Sequence, residues 1–292
     1  MPKVQDWEGT TGGGEFGQKV LFRFLSRVNV VCIYPILYIV IPFYMLFRRK
    51  EYHSIYYYFH NILKKSRFQS WRLSFRNFLN FGEVVVDKFA ILAGNTSQFE
   101  VETIGKEYFD NLLDEPKGII VVGAHIGNFE YIAHCFSTDK KKINTVLFDG
   151  ETVEYAKNRD NYFTQHNINL VQVKQNDMSH VFAITHALEN NEIVCVACDR
   201  MNGSSKHFTE QFLGREIAIP VGFFKMAQML ETEIVAMFVM KASKKKYRTY
   251  IFPLAVNEQL NAGQIAKNYV NRMEEMVTKY PTQWFNFFPY WN

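Results

Sequence analysis

The most informative segment of the sequence is KGIIVVGAHIGNFE, residues 117–130. An unbroken apolar run between Gly118 and Gly123 is typical of a β-strand covered on both faces, as the strands of parallel sheets are. Gly123 permits a sharp turn, and His125 follows in the connecting loop. Functional groups of open α/β sheets collect at the carboxyl ends of the strands. The stretch therefore predicts a buried strand with a candidate functional residue at its end.

Short β-rich runs alternate with helical patterns over the rest of the chain. The candidate strands are Gly118–Val122, Ile143–Phe148, Leu170–Val173, Ile193–Ala197, Ile234–Met240 and Arg248–Phe252. The candidate helices are Asn128–Phe136, Thr152–Gln165, Met178–Asn190, Val221–Leu230 and Ala262–Lys279. This alternation indicates an α/β protein. We predict a mixed, largely parallel central sheet flanked by helices over residues 96–292, preceded by an N-terminal helical, membrane-associated region over residues 1–95.

The amino-terminal region contains an uncharged run from Val30 to Phe47 with basic residues on both sides. Its 18 residues are the lower limit for crossing a hydrocarbon core of about 30 Å. Pro35 and Pro42 are seven residues apart, so both lie on one helical face and bend the segment. Three interpretations stay open: a helix that spans the membrane, a bent helix that lies in the interface, and a buried core helix.

The composition excludes several classes of protein. The net charge of +4 is too small to indicate a nucleic-acid partner. The four cysteines are too few for a disulfide scaffold and favour a reducing compartment. Aromatic residues make up 16% of the chain, a surplus that suits an apolar ligand or a membrane interface.

The loop after the first candidate strand contains a possible acid–base pair. If the helix that follows begins near Gly127 or Asn128, Glu130 lies on its first turn and can fold back towards His125. An imidazole held by a carboxylate is the arrangement that a general base needs. The sequence lacks H-E-x-x-H, which disfavours a metal site, and lacks G-x-S-x-G, which disfavours a serine nucleophile.

Four segments, taken in order, resemble one known family. The run GAHIGNFE, residues 123–130, resembles the H-x4-D/E block of the lysophospholipid acyltransferase superfamily, in the form typical of its late lipid A acyltransferase branch. The segments VACDRMNG (196–203), QFLGREIAIPVGFFKMAQ (211–228) and YPTQWFNFFPYW (280–291) are similar to later blocks of that branch. The opening WEGTTGGGEFG (7–17) resembles a subgroup of bacterial acyltransferases.

The resemblance implies an O-acyltransferase of the cytoplasmic (inner) membrane, with its active site facing the cytoplasm. The donor is an acyl thioester, either acyl-acyl carrier protein or acyl-CoA, and neither a metal nor another cofactor is implied. The acceptor is a hydroxyl of a lipid A precursor or of another bacterial membrane lipid. The implied site residues are His125 as general base, Glu130 as its orienting partner, the backbone N–H groups around Gly127 and Asn128 towards the oxyanion, and Asp199, Arg200 and Arg215 towards the substrates.

Two features bear on partners, and two alternatives to this function stay open. The basic clusters Lys140–Lys142 and Lys244–Lys246 would attract an acidic acyl carrier protein, and the aromatic surplus would line an acyl slot. One alternative is a non-catalytic, membrane-peripheral lipid-binding protein of the same fold. The other is a glycosyltransferase, which should show a D-x-D motif or a nucleotide-sugar loop, and the chain has neither.

Overall fold

The α-helices lie before the first strand, in connections between strands and, in the case of the last helix, after the final strand. A computed structural model describes residues 23–131, 140–148, 163–164, 166–173, 178–201, 204–255 and 260–291. Within these ranges the helices are α1 (Tyr34–Phe47), α2 (Arg49–Tyr57), α3 (Arg67–Leu92), α4 (Lys106–Asp114), α5 (Ser179–Glu189), α6 (Gly222–Leu230) and α7 (Ala262–Lys279). The predicted helices at Met178, Val221 and Ala262 are confirmed. Of the predicted helix Asn128–Phe136 only a 3-10 turn, Phe129–Tyr131, is described, and most of Thr152–Gln165 lies outside the described residues.

The described strands form a large mixed sheet and a small hairpin. They are β1 (Glu100–Ile104), β2 (Ile119–Gly123), β3 (Ile143–Phe148), β4 (Ile168–Val173), β5 (Ile193–Ala197), β6 (His207–Phe212), β7 (Arg215–Pro220), β8 (Glu233–Lys241) and β9 (Lys246–Pro253). The large sheet has the order β1-β9-β8-β2-β5-β3-β4, and β6 pairs with β7 apart from it. All neighbours in the large sheet are parallel except β8 and β9, which a tight connection joins as an antiparallel pair.

This architecture confirms the predicted α/β fold with a largely parallel sheet. Every residue of β2 is buried, as a strand covered on both faces requires. Ile120 and Val122 belong to one hydrophobic core, and Ile119 and Val121 to the other, because successive side chains of a strand point to opposite faces. The prediction missed β1, α4 and the β6–β7 hairpin. Most of β1 is exposed, and the first five residues of β6 alternate between exposed and half-buried positions, so neither strand has the continuous apolar run by which the buried strands were recognised.

The amino-terminal helices contribute to both cores. Ile41 of α1 and Phe78 of α3 pack in the core that contains α7, whereas Tyr34 and Phe89 pack in the core on the other face of the sheet. Ser66 caps α3 in a reciprocal pair with Gln69, which satisfies two backbone donors at the helix start. Residues of the predicted amino-terminal region are therefore part of the same packed body as the sheet.

The apolar run Val30–Phe47 forms a 3-10 turn followed by α1. Tyr34 and Ile41 are buried, and they lie seven residues apart on one face of the helix. Most of the other side chains of α1 are turned outwards, and Phe47 is 78% exposed. In the described part of the chain, no helix is both long enough and apolar enough to cross a membrane.

Candidate active site

The register of two central strands brings His125 and Asp199 together. In the parallel pair of β2 and β5, Gly123 lies opposite Ala197. His125 and Asp199 each follow two residues later, so both leave the sheet at the same carboxyl edge. Cys198 extends the contact, since its N–H donates to the carbonyl of Gly123 over 3.0 Å.

His125 and Asp199 form a hydrogen-bonded pair. Nδ1 of the imidazole lies 2.8 Å from Oδ1 of the carboxylate, and the backbone N–H of His125 donates to Oδ2 over 3.1 Å. An ionised carboxylate only accepts hydrogen bonds, so Nδ1 carries the proton and the lone pair of the neutral ring lies on Nε2. The Asp199 side chain is 1% exposed and the His125 side chain 19% exposed. The pair can therefore take a proton at Nε2 beside a buried negative charge.

The environment of Asp199 keeps its carboxylate ionised. Burial alone would raise the pKa of Asp199, but the charge and hydrogen bonds of His125 and the charge of Arg200 hold this pKa below its usual 3.8. The hydroxyl of Tyr290 donates to the backbone carbonyl of Asp199 over 2.8 Å. The carboxylate thus stays available, fixed and charged, for the imidazole.

The structure gives Asp199 a different contact from the one that the sequence predicts. The sequence predicts that Asp199 contacts the substrate and that Glu130 orients His125; the side chain of Glu130 lies outside what the structure describes. The orienting function of Glu130 stays a prediction. The sequence did not predict the contact of Asp199 with His125, because this contact depends on the order of the strands. That order, which places β5 beside β2, cannot be deduced from a local motif.

Gly127 lies in a backbone position that excludes other residues. Its φ is +63°, and a Cβ atom there would come within 2.2 Å of the carbonyl oxygen of Val239. The glycine of the GAHIGNFE block therefore allows the loop to cross the end of β8 at close range.

The two backbone donors that we predicted to face an oxyanion are occupied. The N–H of Gly127 donates to the carbonyl of Gln283 over 2.7 Å, and the N–H of Asn128 donates to the carbonyl of Val239, also over 2.7 Å. That prediction is wrong for these two groups, because the loop uses them to bind its neighbours. Any contact of Gly127 or Asn128 with substrate stays a prediction.

The closing segment of the chain, residues 281–291, packs against the loop that carries His125. Trp284 is fully buried and forms an isolated β-bridge with Ile126. The N–H of Phe285 donates to the carbonyl of His125 over 3.0 Å. Residues at the very end of the sequence thus hold the backbone of the candidate base.

The two predicted arginines lie in different surroundings. Arg200 directly follows Asp199, its guanidinium lies 4.7 Å from the ring centre of Phe288, and Nη2 lies 3.4 Å from the carbonyl of Phe285. Arg215 begins β7, and its guanidinium lies 5.9 Å from the ring of Tyr57. Arg200 therefore belongs to the candidate site, whereas Arg215 pairs with Phe212 in the hairpin and its guanidinium lies near Tyr57 of α2. No cluster of metal-binding side chains occurs among the described residues.

The two predicted basic clusters also differ. Lys140 pairs with Asp114, and the amino group of Lys141 is buried against the carbonyls of Glu115, Lys117 and Asn191. Lys141 is thus unsuited to attract a partner. The second cluster, Lys244–Lys246, lies in the β8–β9 turn at the same edge of the sheet as His125, with Lys244 exposed.

Comparison with known proteins gives one family match. The family model described as bacterial lipid A biosynthesis acyltransferase matches residues 69–292, which include both His125 and Asp199. No curated protein matches the sequence significantly. Among solved structures, the 1-acyl-sn-glycerophosphate acyltransferase PlsC from Thermotoga maritima is similar at 14% identity, over 91% of this chain and 99% of that chain, with a TM-score of 0.38. So low a TM-score carries no conclusion about substrate or mechanism.

Proposed function

Because the chain belongs to the bacterial lipid A biosynthesis acyltransferase family, an acyltransferase family that acts on lipids, we propose that it transfers a fatty acyl group from a carrier thioester to a hydroxyl of a membrane lipid. The observation that carries this proposal is the hydrogen bond between Nδ1 of His125 and the buried carboxylate of Asp199. Such a pair is suited to remove a proton from a hydroxyl near neutral pH.

The proposed reaction is a direct transfer. Nε2 of His125 takes the proton of the acceptor hydroxyl while the hydroxyl oxygen bonds to the thioester carbonyl carbon. The bond from that carbon to sulfur then breaks, and the departing thiolate takes the proton back from the imidazolium. The products are an ester and a free thiol, and no acyl-enzyme forms. Asp199 stabilises the imidazolium during the transfer.

The proposed donor is an acyl-acyl carrier protein or acyl-CoA. Of the two basic clusters, Lys244–Lys246 supports docking of an acidic carrier, since it lies at the edge of the sheet that carries His125. Lys246 lies 3.9 Å from Glu102, so Lys244 and Lys245 contribute most of the positive charge there. The proposed acceptor is a lipid A precursor or another bacterial membrane lipid.

We also propose that the protein works on the surface of the cytoplasmic membrane, with the outward face of α1 in the lipid interface. The large exposed side chains of α1 and the start of α3 support this: Ile36, Tyr38, Ile39, Val40, Phe43, Leu46, Phe47, Phe68 and Trp71. A cavity of about 430 Å³ between α1, α2 and α3 is lined by Pro42, Met45, Leu46, Tyr52, Trp71 and Phe75. Exposed Arg48, Arg49 and Lys50 follow α1 and would meet anionic headgroups.

The test of the function is the lipid composition of the host. Removing the protein should delete one acyl group from a membrane lipid, seen as a mass loss in the lipid extract. Wild-type protein should restore the mass, and a His125→Ala variant made in equal amount should not. Restoration by His125→Ala would overturn the role of His125. If removal changes no lipid mass while the purified protein still binds vesicles, a non-catalytic lipid-binding protein is the correct description.

A further inference from the structure

Gln283 is a buried residue of the closing segment whose side chain binds the end of β8. Its Oε1 accepts the backbone N–H of Lys241 over 2.9 Å, and its Nε2 donates to the carbonyl of the same residue over 2.8 Å. Gln283 is only 7% exposed. The amide therefore replaces a neighbouring strand at the end of β8, since it offers one acceptor and one donor as a backbone would.

The backbone of Gln283 binds the loop that carries the candidate base. Its carbonyl accepts the N–H of Gly127 over 2.7 Å. Gly127 is two residues from His125, and the next link, from Phe285 N–H, reaches the carbonyl of His125 itself. Gln283 thus connects the end of β8 to the loop on which the imidazole stands, in addition to the direct bond from the N–H of Asn128 to the carbonyl of Val239.

The end of β8 is itself rigidly held. The amino group of Lys241 pairs with the buried carboxylate of Asp87 on α3 and lies 2.9 Å from the hydroxyl of Tyr34 and 2.9 Å from the carbonyl of Lys244. The hydroxyl of Tyr34 also donates to Asp87 over 2.6 Å. Lys241 is consequently held in place, and Gln283, which binds the backbone of Lys241, is held with it.

We infer that Gln283 is a positioning residue: by joining Lys241 to Gly127 it holds the imidazole of His125 in hydrogen-bonding register with Asp199. This inference rests on the proposed role of His125 as the base. Glutamine fits the position because a carboxylate cannot donate to the Lys241 carbonyl and an aliphatic side chain can neither donate nor accept. Gln283 is not assigned any contact with substrate.

The matched control is Asn80 on α3, which binds the same closing segment one residue earlier. Its Nδ2 donates to the carbonyl of Thr282 over 3.0 Å and to the Thr282 hydroxyl over 2.9 Å. The side-chain bonds of Asn80 therefore reach Thr282 and neither Gly127 nor Lys241. Asn80→Ala and Gln283→Leu both remove side-chain hydrogen bonds from this segment, but only the second acts on the path to His125.

The experiment measures rate and imidazole geometry on the full-length protein. We expect Gln283→Leu to lower kcat with an acyl-thioester donor by about 10²-fold, the cost of displacing a catalytic group by about 1 Å, while the KM for the donor changes little. Asn80→Ala should keep the wild-type kcat. Gln283→Asn keeps both hydrogen-bonding atoms and should give an intermediate rate.

Proton and nitrogen NMR of the labelled histidine rings gives a readout that needs no substrate. The Nδ1–H signal of His125, identified by its loss in His125→Ala, should shift or broaden in Gln283→Leu and persist in Asn80→Ala. If Gln283→Leu does not fold, Gln283→Asn takes its place in the comparison.

Two results would separate the possible failures. If the Gln283 variants lose thermal stability but keep the wild-type NMR signal and kcat, the residue is only structural and the inference is wrong. If His125→Ala retains turnover, the proposed function fails, whereas the NMR comparison still decides whether Gln283 positions the ring.

Discussion

Replacing Asp199 by asparagine tests the proposed pair with almost no change in shape. The amide oxygen can still accept the backbone N–H of His125, which lies 3.1 Å from Oδ2 in the wild type. The amide nitrogen, however, would donate to Nδ1 in place of the carboxylate that now lies 2.8 Å away. The ring proton must then move to Nε2, the atom that has to accept the proton of the substrate.

The size of the effect follows from two contributions. A hydrogen bond to a charged group contributes about 1.5–3 kcal/mol, which corresponds to roughly 10- to 100-fold in rate. The wrong tautomer raises the loss to as much as about 10⁴, the value for the same change in a serine-protease triad. We therefore expect kcat to fall by about 10² to 10⁴, with the fold retained.

The assay is the initial rate of acyl transfer from a thioester donor, with a thermal melt of each variant to verify folding. Glu130→Gln and Glu130→Asp are measured beside it, since the sequence gives Glu130 the orienting role. If Glu130 has that role, aspartate should be tolerated better than glutamine, because it keeps the charge. An Asp199→Asn variant with a nearly normal rate, beside a severely impaired Glu130→Gln, would refute the assignment of Asp199.

Three further predictions concern the free energy of unfolding, its dependence on pH and the binding of lipid vesicles. Gly127→Ala should lower the free energy of unfolding by well over the ~1–2 kcal/mol that a left-handed backbone costs, because the added methyl group would meet the carbonyl of Val239. Gly214→Ala is the control: Gly214 has φ +76° and nothing within 4 Å of an added Cβ, so this variant should show only the backbone cost. Equal losses in urea titrations of the two variants would refute the close contact at Gly127. Because the pKa of Asp199 in the folded protein lies below 3.8, its ionised carboxylate stabilises the fold. The excess free energy of unfolding of wild type over Asp199→Asn should therefore have its full value above about pH 5 and shrink as the pH falls through the folded pKa. A difference that grows in acid would contradict this. Ile39→Glu should weaken sedimentation with anionic vesicles by about tenfold or more, whereas Phe182→Glu, at a somewhat more exposed site on α5, should not.

The centre of the sheet could be predicted because its parallel strands β2 and β5 are covered on both faces. The run Ile119–Val122 is apolar throughout for that reason, and the strand at Ile193 shares the pattern. The strand at Ile143 is apolar only at its first residue and over its last three, since Asn144 and Thr145 lie between them. The edge strand β1 escaped prediction because its exposed residues, such as Glu100 and Glu102, need not be apolar.

The candidate site was predicted only in part, because its contacts join distant parts of the chain. His125 could be found from its place after a buried strand. Its contact with Asp199 spans 74 positions and depends on the order of the strands. The backbone donor of Gly127 could not be known to be occupied, because its acceptor, Gln283, lies in the last segment of the chain.

The buried group of Tyr34, Asp87, Lys241 and Tyr247 has a consequence for synthesis of the protein. The hydroxyl of Tyr247 also donates to Asp87, so the carboxylate has partners from three separate elements. Asp87 and Lys241 are 154 positions apart, and a ribosome that adds about 5–20 residues per second needs roughly 8–30 s to cover that distance. For that time α1 and α3 have left the exit tunnel without the cation that neutralises Asp87. α1 and α3 are made before the β8–β9 hairpin, but their final packing therefore has to wait for it.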